Sequence, residues 1–258
     1  MVLWIEAQSS LVIALLVSGI CYAVAAAVFV VAALLSRQRI ASDMKATTPV
    51  MLTPLSVITA LLIAFLASHV WSNLDRASAL VGQEASAIRE TVVLADNLPS
   101  AVRDATRSGL KTYLRFVEAE DWPAMMKGGE GLQQQPPGLT DAVAALLSFA
   151  PNTGGQRVAQ ERAVIAVEQA LAARRDRILL SEATIAPIQW GVILILDALV
   201  LFTISMVHVD RRATTAINLF IFSTAMAACL VLLAIYDRPF ATGGNTVQPT
   251  ALREVGLD

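Results

Sequence analysis

The sequence predicts an all-α integral membrane protein: four transmembrane helices with a helical extramembrane domain between the second and the third. Three observations predict it. Leu11–Leu35, Met51–Val70, Pro187–Met206 and Ala213–Tyr236 are apolar runs long enough to cross a bilayer, since about 20 residues at 1.5 Å rise span its hydrocarbon core. The chain of 258 residues is 56% hydrophobic with a mean hydropathy of +0.62, above the roughly 45–50% apolar content of soluble domains. Charge is concentrated in residues 71–186, which hold 12 Lys and Arg against 14 Asp and Glu, a local net charge of −2. The first hairpin is therefore set at 1–70, the extramembrane domain at 71–186, and the second hairpin with a short tail at 187–258.

Composition also narrows the function. Without a basic patch, nucleic acid is not expected as a partner; the expected partners are the lipid bilayer, inorganic ions and further copies of the chain. Cys21 and Cys229 both fall inside apolar runs, so no disulfide framework or metal-type cysteine spacing is present. No nucleophile–base pair, phosphate-binding glycine loop or cofactor motif is found. Neither an enzyme nor a cofactor is expected.

Each element has its own reasons. The first apolar run is too long for a signal-peptide core, and its positive charges follow it rather than precede it. Arg37, Arg39 and Lys45 lie in the first short loop, and Arg211 and Arg212 lie in the second. The positive-inside rule puts both loops in the cytoplasm. The 71–186 domain then faces outward from a bacterial inner membrane, although Arg174, Arg175 and Arg177 before the third span pull the other way. After Val70 nothing breaks the helix. Leu74, Ser78, Val81, Ala85, Ile88 and Val92 alternate four- and three-residue steps, the seam of a helix held against a partner. The second span should run on to about Leu94, turn at 97–100, and be followed by a helix from Ser100 to Ala119 that Asp121-Trp122-Pro123 ends. A Gly/Pro/Gln-rich loop spans 127–138, and a short helix is expected over Thr140–Phe149. From Arg157 a further helix carries Val164, Leu171 and Ile178 beside Ile165, Ala172 and Leu179 into the third span at Pro187.

Candidate functional residues lie in both parts. Thr53, Ser56, Thr59 and Ser68, with Ala60, Ala64 and Ala67, make a stripe of small and hydroxyl residues along the second span. Such a stripe lines a polar path or lets helices pack closely; Leu62, Ile63 and Leu66 would form its constriction. Asp197 is the one acid near the middle of a span, where a carboxylate costs roughly 2.5–3.5 kcal/mol on insertion scales. It is read as a cation or proton site, a partner of Ser56 or Thr59, or a neutral packing residue. Glu118, Glu120, Asp121 and Glu130 could supply oxygen ligands to a divalent cation, but their spacing fits no calcium loop, and an acidic helix end is usually just solvated. Asp237-Arg238-Pro239-Phe240 reads as an interfacial anchor, with Arg238 reaching the headgroups.

Several short pieces together resemble a known family. They are Ile63-Ala64-Phe65, Val70-Trp71, Glu84-Ala85, Leu98-Pro99, Tyr113, Asp121-Trp122-Pro123-Ala124-Met125 with Gly128, Ala173-Arg174-Arg175, Asp237-Arg238-Pro239-Phe240 and Pro249. In order and spacing the chain resembles the bestrophin-like membrane proteins of bacteria, over about residues 12–252. The family usually has Glu where this chain has Asp121, and Asp197 is not among its typical residues. The resemblance implies a four-span architecture likened to homo-oligomeric anion channels, whereas an ionised Asp197 on the path would favour cations. Two functions are carried forward: a homo-oligomeric ion channel of four or five copies, and a non-conducting sensor or accessory subunit that binds a partner through its helical domain.

Overall fold

The computed structural model describes residues 10–35, 40–127, 135–208, 211–241 and 247–256, with side chains in the second stretch from residue 49 onward. Among these residues every regular element is helical. In chain order they are α1 (Ser10–Leu35), α2 (Ile40–Ala95), α3 (Ser100–Phe116), a π turn (Val117–Asp121), α4 (Trp122–Met126), α5 (Leu139–Leu147), α6 (Gly154–Ser181), α7 (Pro187–Val207), α8 (Arg212–Tyr236) and α9 (Thr250–Arg253). Four of these helices are long and apolar enough to cross a membrane: α1, α2 from Pro49, α7 and α8. The second span does continue as one helix, and the chain turns after Ala95 as the Asn97-Leu98-Pro99 sequence predicts.

The chain divides into two compact units. The first comprises residues 1–72 and 184–237, the second residues 73–183 and 238–258. The tail after Asp237 thus belongs with the helical unit, whereas the order of apolar runs groups it with the second hairpin. The reason is apolar: Phe240, Leu252 and Val255 are buried in the helical unit's core.

In the membrane unit, α1 packs along α8 and α7, and the latter two form the second hairpin. Cys21, Leu66, Val70, Ile193, Leu230 and Leu233 form one buried cluster; Ala25, Leu201 and Leu219 form another. The second span joins this bundle along one edge, through Leu62, Ile63, Leu66, Ala67 and Val70.

In the helical unit, α2 buries Ala77, Leu80, Val81, Glu84, Ala85, Ile88 and Thr91. This is the predicted seam, except that Ser78 is exposed. The buried face of α6 differs more from expectation. Of the two expected stripes, Val164, Leu171 and Ile178 do pack on the core, but Ile165, Ala172 and Leu179 are exposed. Val167, Ala159, Ala163, Ala166, Ala170 and Ala173 face inward with Arg174 and Arg177. Small residues let neighbouring backbones come close enough for the two arginines to reach across. α6 starts where Thr153 Oγ1 accepts from Gln156 N at 3.2 Å, a normal N-cap. It ends at Ser181, so it does not lead directly into α7.

Two glycines fix the contact between α3 and α5. A Cβ on Gly109 would lie 2.6 Å from the Gly138 carbonyl oxygen, and one on Gly138 would lie 2.2 Å from the Gly109 oxygen. Gly138 also has φ +87°, a conformation that side chains disfavour. The expected stop at Asp121-Trp122-Pro123 is not there. The chain widens into the π turn and resumes as α4, with Pro123 in its first turn. A proline tolerates that position because the first N–H groups of a helix have no intrahelical acceptor.

Candidate functional site

The second span faces two ways. Thr59, Leu66 and Val70 are buried, and Ser56, Leu62, Ile63 and Ala67 are half-buried. Thr53, Ala60, Ala64 and Ser68 are exposed, as are Val57, Ile58, Leu61 and Phe65. At 100° per residue, the four small exposed residues fall within about 80° of arc, which exposed Val57 shares, and Leu61, Phe65 and Ile58 occupy the next 60° or so. The predicted stripe is therefore split. Thr53 and Ser68 lie on an outward strip of small residues. Ser56, Thr59 and Ile63 turn toward their own bundle, where the Thr59 hydroxyl donates to the Leu55 carbonyl at 2.8 Å.

Asp197 is fully buried in the membrane unit. Its place is therefore the interior of its own bundle and not the outward strip of α2. Neither carboxyl oxygen has a hydrogen-bond partner. The pairing with Ser56 or Thr59 considered from the sequence is not made.

The helical unit buries its acids differently. The Glu84 carboxylate, on the seam of α2, accepts from Arg177 Nε at 2.7 Å and from Arg177 Nη2 at 3.1 Å. The Tyr113 hydroxyl of α3 also donates to it. Asp121, at the end of the π turn, accepts from Arg174 Nε at 2.6 Å and from Nη2 at 2.8 Å. Arg177 Nη2 lies 3.6 Å from the same carboxylate, and Arg177 Nη1 donates to Met125 Sδ at 3.1 Å. The guanidinium of Arg177 sits over the Trp122 ring at 5.4 Å, and that of Arg174 over Phe116 at 5.7 Å. Phe240 meets Trp122 edge-on at 5.5 Å. Two carboxylates and two guanidinium groups thus balance in a space closed to solvent, with their planar faces covered by aromatic rings.

The electrostatics follow from this pairing. Burial works against a charged Arg177, but the Glu84 carboxylate, by charge and then by hydrogen bond, outweighs it and holds the guanidinium above its ordinary value. Burial first, and then Glu84, push the Tyr113 phenol well above its ordinary value. The phenol is therefore a permanent donor at neutral pH.

The remaining candidates separate. Asp121 is consumed by Arg174, exposed Glu118 pairs with Arg253, Glu120 points to solvent, and Glu130 lies outside the described residues. Glu118, Glu120 and Asp121 do not converge on a common point. Asp237, Arg238, Pro239 and Phe240 are all buried, which corrects the reading of this segment as a headgroup anchor. The Asp237 carboxylate accepts from Ile185 N at 2.8 Å, and the Pro239 carbonyl accepts from Val247 N at 2.9 Å. Sequence reasoning missed the roles of Arg174 and Arg177, which it counted as free positive charge beside the third span. Their spacing, three residues apart and so on one helical face, was the available signal.

The family's sequence profile, that of the bestrophin-like domain, matches residues 19–252. The chain belongs to the bestrophin-like family. Glu84, Tyr113, Asp121, Trp122 and Arg174, the scattered pieces behind the resemblance, are neighbours in one network of this bestrophin-like chain. No curated protein matches the sequence. Among solved structures, one described as the crystal structure of a membrane protein shares the fold, with a TM-score of 0.63 at 16% identity. That match covers 87% of this chain and 93% of the other.

Proposed function

We propose that this bestrophin-like chain assembles into a homo-oligomeric ion pore, with the second span of each copy nearest the axis. The observation that carries this reading is the bareness of that span. Only 11% of its most apolar stretch is buried within one copy, against 39% for the third and fourth spans. Its exposed surface is also uneven, with the mostly small strip Thr53, Ala60, Ala64 and Ser68, interrupted by Val57, beside the bulky Ile58, Leu61 and Phe65. Small residues suit close approach between copies or a water-filled path, and bulky ones suit lipid. Identical chains usually close such a contact by cyclic symmetry.

The helical unit is proposed to face outward. Arg174 and Arg177 no longer oppose that orientation, since Asp121 and Glu84 neutralise them inside the fold. Short loops rich in Lys and Arg set orientation, and those of this chain flank the other ends of the spans.

Single cysteines test both statements, in a chain whose Cys21 and Cys229 are replaced by alanine. Ala64→Cys should crosslink between copies in native membranes, and a thiol reagent should block its ion flux in reconstituted vesicles. Phe65→Cys should do neither. Lys127→Cys should label from outside intact cells. A chain that is monomeric in nanodiscs and carries no flux in vesicles would overturn the pore and leave a non-conducting membrane module.

A further inference from the structure

Three buried polar groups meet at one level of the membrane unit, on three different spans. Asp197 lies ten residues before the end of α7 at Val207, and Ser223 lies eleven residues after the start of α8 at Arg212. At 1.5 Å per residue both are about 15–17 Å from the hairpin turn, so they share a depth. The first span is tied to that depth by a hydrogen bond of 3.0 Å between the Tyr22 and Thr224 hydroxyls and by stacking of Tyr22 on Phe220. Cys21, the neighbour of Tyr22, is packed in one buried cluster with Ile193, one turn before Asp197, and Ala227, one turn after Ser223. Cys21, Asp197 and Ser223 are each fully buried.

The hydroxyl of Ser223 is unlike those of the other fully buried Ser and Thr residues of this unit, although that of half-buried Ser10, at the start of the first span, also lacks a partner. Those of Thr59, Thr203, Ser205 and Thr215 each donate to a backbone carbonyl of their own region, the usual way such groups are satisfied within a span. Ser223 Oγ has no partner, nor has either oxygen of Asp197. Three oxygens at one depth are therefore left without a donor or cation from their own chain.

We propose that Asp197, Ser223 and Cys21 form an intramembrane site for one small monovalent cation, a proton or a sodium ion, held inside each protomer. The charge fixes the valence. One carboxylate balances one positive charge, and among the described residues no second acid is buried between the spans at this depth. A divalent ion would leave a net charge in the apolar interior and would need about six oxygens or more. The fully buried polar groups at the depth of Asp197 on the neighbouring spans are the Cys21 thiol of the first and the Ser223 hydroxyl of the fourth, and no charged residue occurs in the fourth from Ala213 to Tyr236. From the second span, Leu66 and Val70 pack into this bundle; the buried Thr59 and half-buried Ser56 also turn toward it, and the Thr59 hydroxyl is spent on the Leu55 carbonyl. The site is enclosed by its own chain and does not depend on the pore reading.

The test uses the full chain in lipid nanodiscs. Its melting temperature is measured in sodium chloride and in choline chloride of equal ionic strength, at mildly acidic and mildly alkaline pH. A bound sodium ion raises the melting temperature by about 3 °C or more at fixed pH. A bound proton makes the chain indifferent to sodium and lowers its melting temperature as pH rises. It also gives an infrared carboxylic-acid band that Asp197→Asn removes and Ser223→Ala displaces. Under either occupant the response vanishes in Asp197→Asn and weakens in Ser223→Ala. Identical responses in the wild type and Asp197→Asn would overturn the site, as would an acid band that neither pH nor sodium alters. Should Asp197→Asn fail to fold, Ser223→Ala decides: an unmoved band and an unaltered melting response overturn the proposal.

Discussion

The two units bury carboxylates in opposite ways. Glu84 and Asp121 are enclosed by the helical unit together with Arg177, Arg174 and the Tyr113 hydroxyl, so every charge has a near neighbour of opposite sign. Asp197 is just as enclosed in the membrane unit, yet its oxygens accept no hydrogen bond. The difference teaches what each acid is for. A paired acid fixes the mutual position of the helices that carry the pair and has no capacity left for a ligand. An unpaired acid adds nothing to the packing of its helices and keeps all of its capacity. Burial by itself therefore does not mark a functional acid; burial without a partner does.

Removing the partner of a paired acid is the largest expected way to break this contrast. Arg177→Met keeps most of the volume but leaves Glu84 buried with only Tyr113 to meet it. Stranding one charge of a buried pair costs about 3–5 kcal/mol, which lowers Tm by roughly 10 °C for a chain of this size. Thermal unfolding in detergent measures it. If the loss is no greater than that of Arg253→Ala, which removes only an exposed partner of Glu118, the network is not what holds the helices.

The opposite sign is expected in the other unit. Asp197→Leu removes an acid with no partner and should stabilise the chain, in sodium-free buffer at mildly alkaline pH, by up to about 2–3 kcal/mol. A destabilised Leu variant under those conditions would mean that Asp197 is engaged in packing, and the contrast between the units would close.

The smallest effect sharpens the contrast within the network itself. Tyr113→Phe removes one hydrogen bond to a charged acceptor, worth about 1.5 kcal/mol. The phenol's ordinary value is near 10, and in the folded chain it lies well above that. As pH rises past about 10 the unfolded chain loses this proton first. The stability from Tyr113 is thus complete below about pH 10 and falls as pH climbs further. Denaturation midpoints should decline less steeply with pH in Tyr113→Phe than in the wild type. Equal slopes would show that Tyr113 is not linked to Glu84 in this way.

Much of the fold is legible in the sequence because lipid imposes one simple demand, a long apolar run without charge. Apart from the second span, whose helix starts at Ile40 and runs on past Val70, the ends of the spans follow from that rule to within a residue or two. The seam of α2 is legible for a similar reason, since Val81, Ala85 and Ile88 repeat at helical spacing, and Glu84 lies next to it in the sequence. The face of α6 is legible only in part: Val164, Leu171 and Ile178 lie on it as their spacing suggests, but so do five alanines and two arginines, while the larger Ile165 and Leu179 lie outside. Hydrophobic size misleads where close packing is achieved by small residues. The partners of Asp121 are hidden for another reason: no local pattern announces a π turn, and Pro123 reads as a stop. Of the intramembrane site, Asp197 stands out at once. Ser223 does not, although counting residues from the hairpin turn places it at the same depth.

The π turn at 117–121 has a consequence for how this chain tolerates insertion and deletion. Each residue added to or removed from a helix rotates everything after it by about 100°. The wide turn holds Asp121 and Trp122 at the angle from which they reach Arg174 and Arg177. Deleting one residue here, Ala119 for example, would leave a more regular helix with better local geometry, and would swing the carboxylate and the indole away from both guanidinium groups. The irregular segment is thus a phase adjuster, and the register of the whole charge network is written in its length rather than in the identity of any one of its residues.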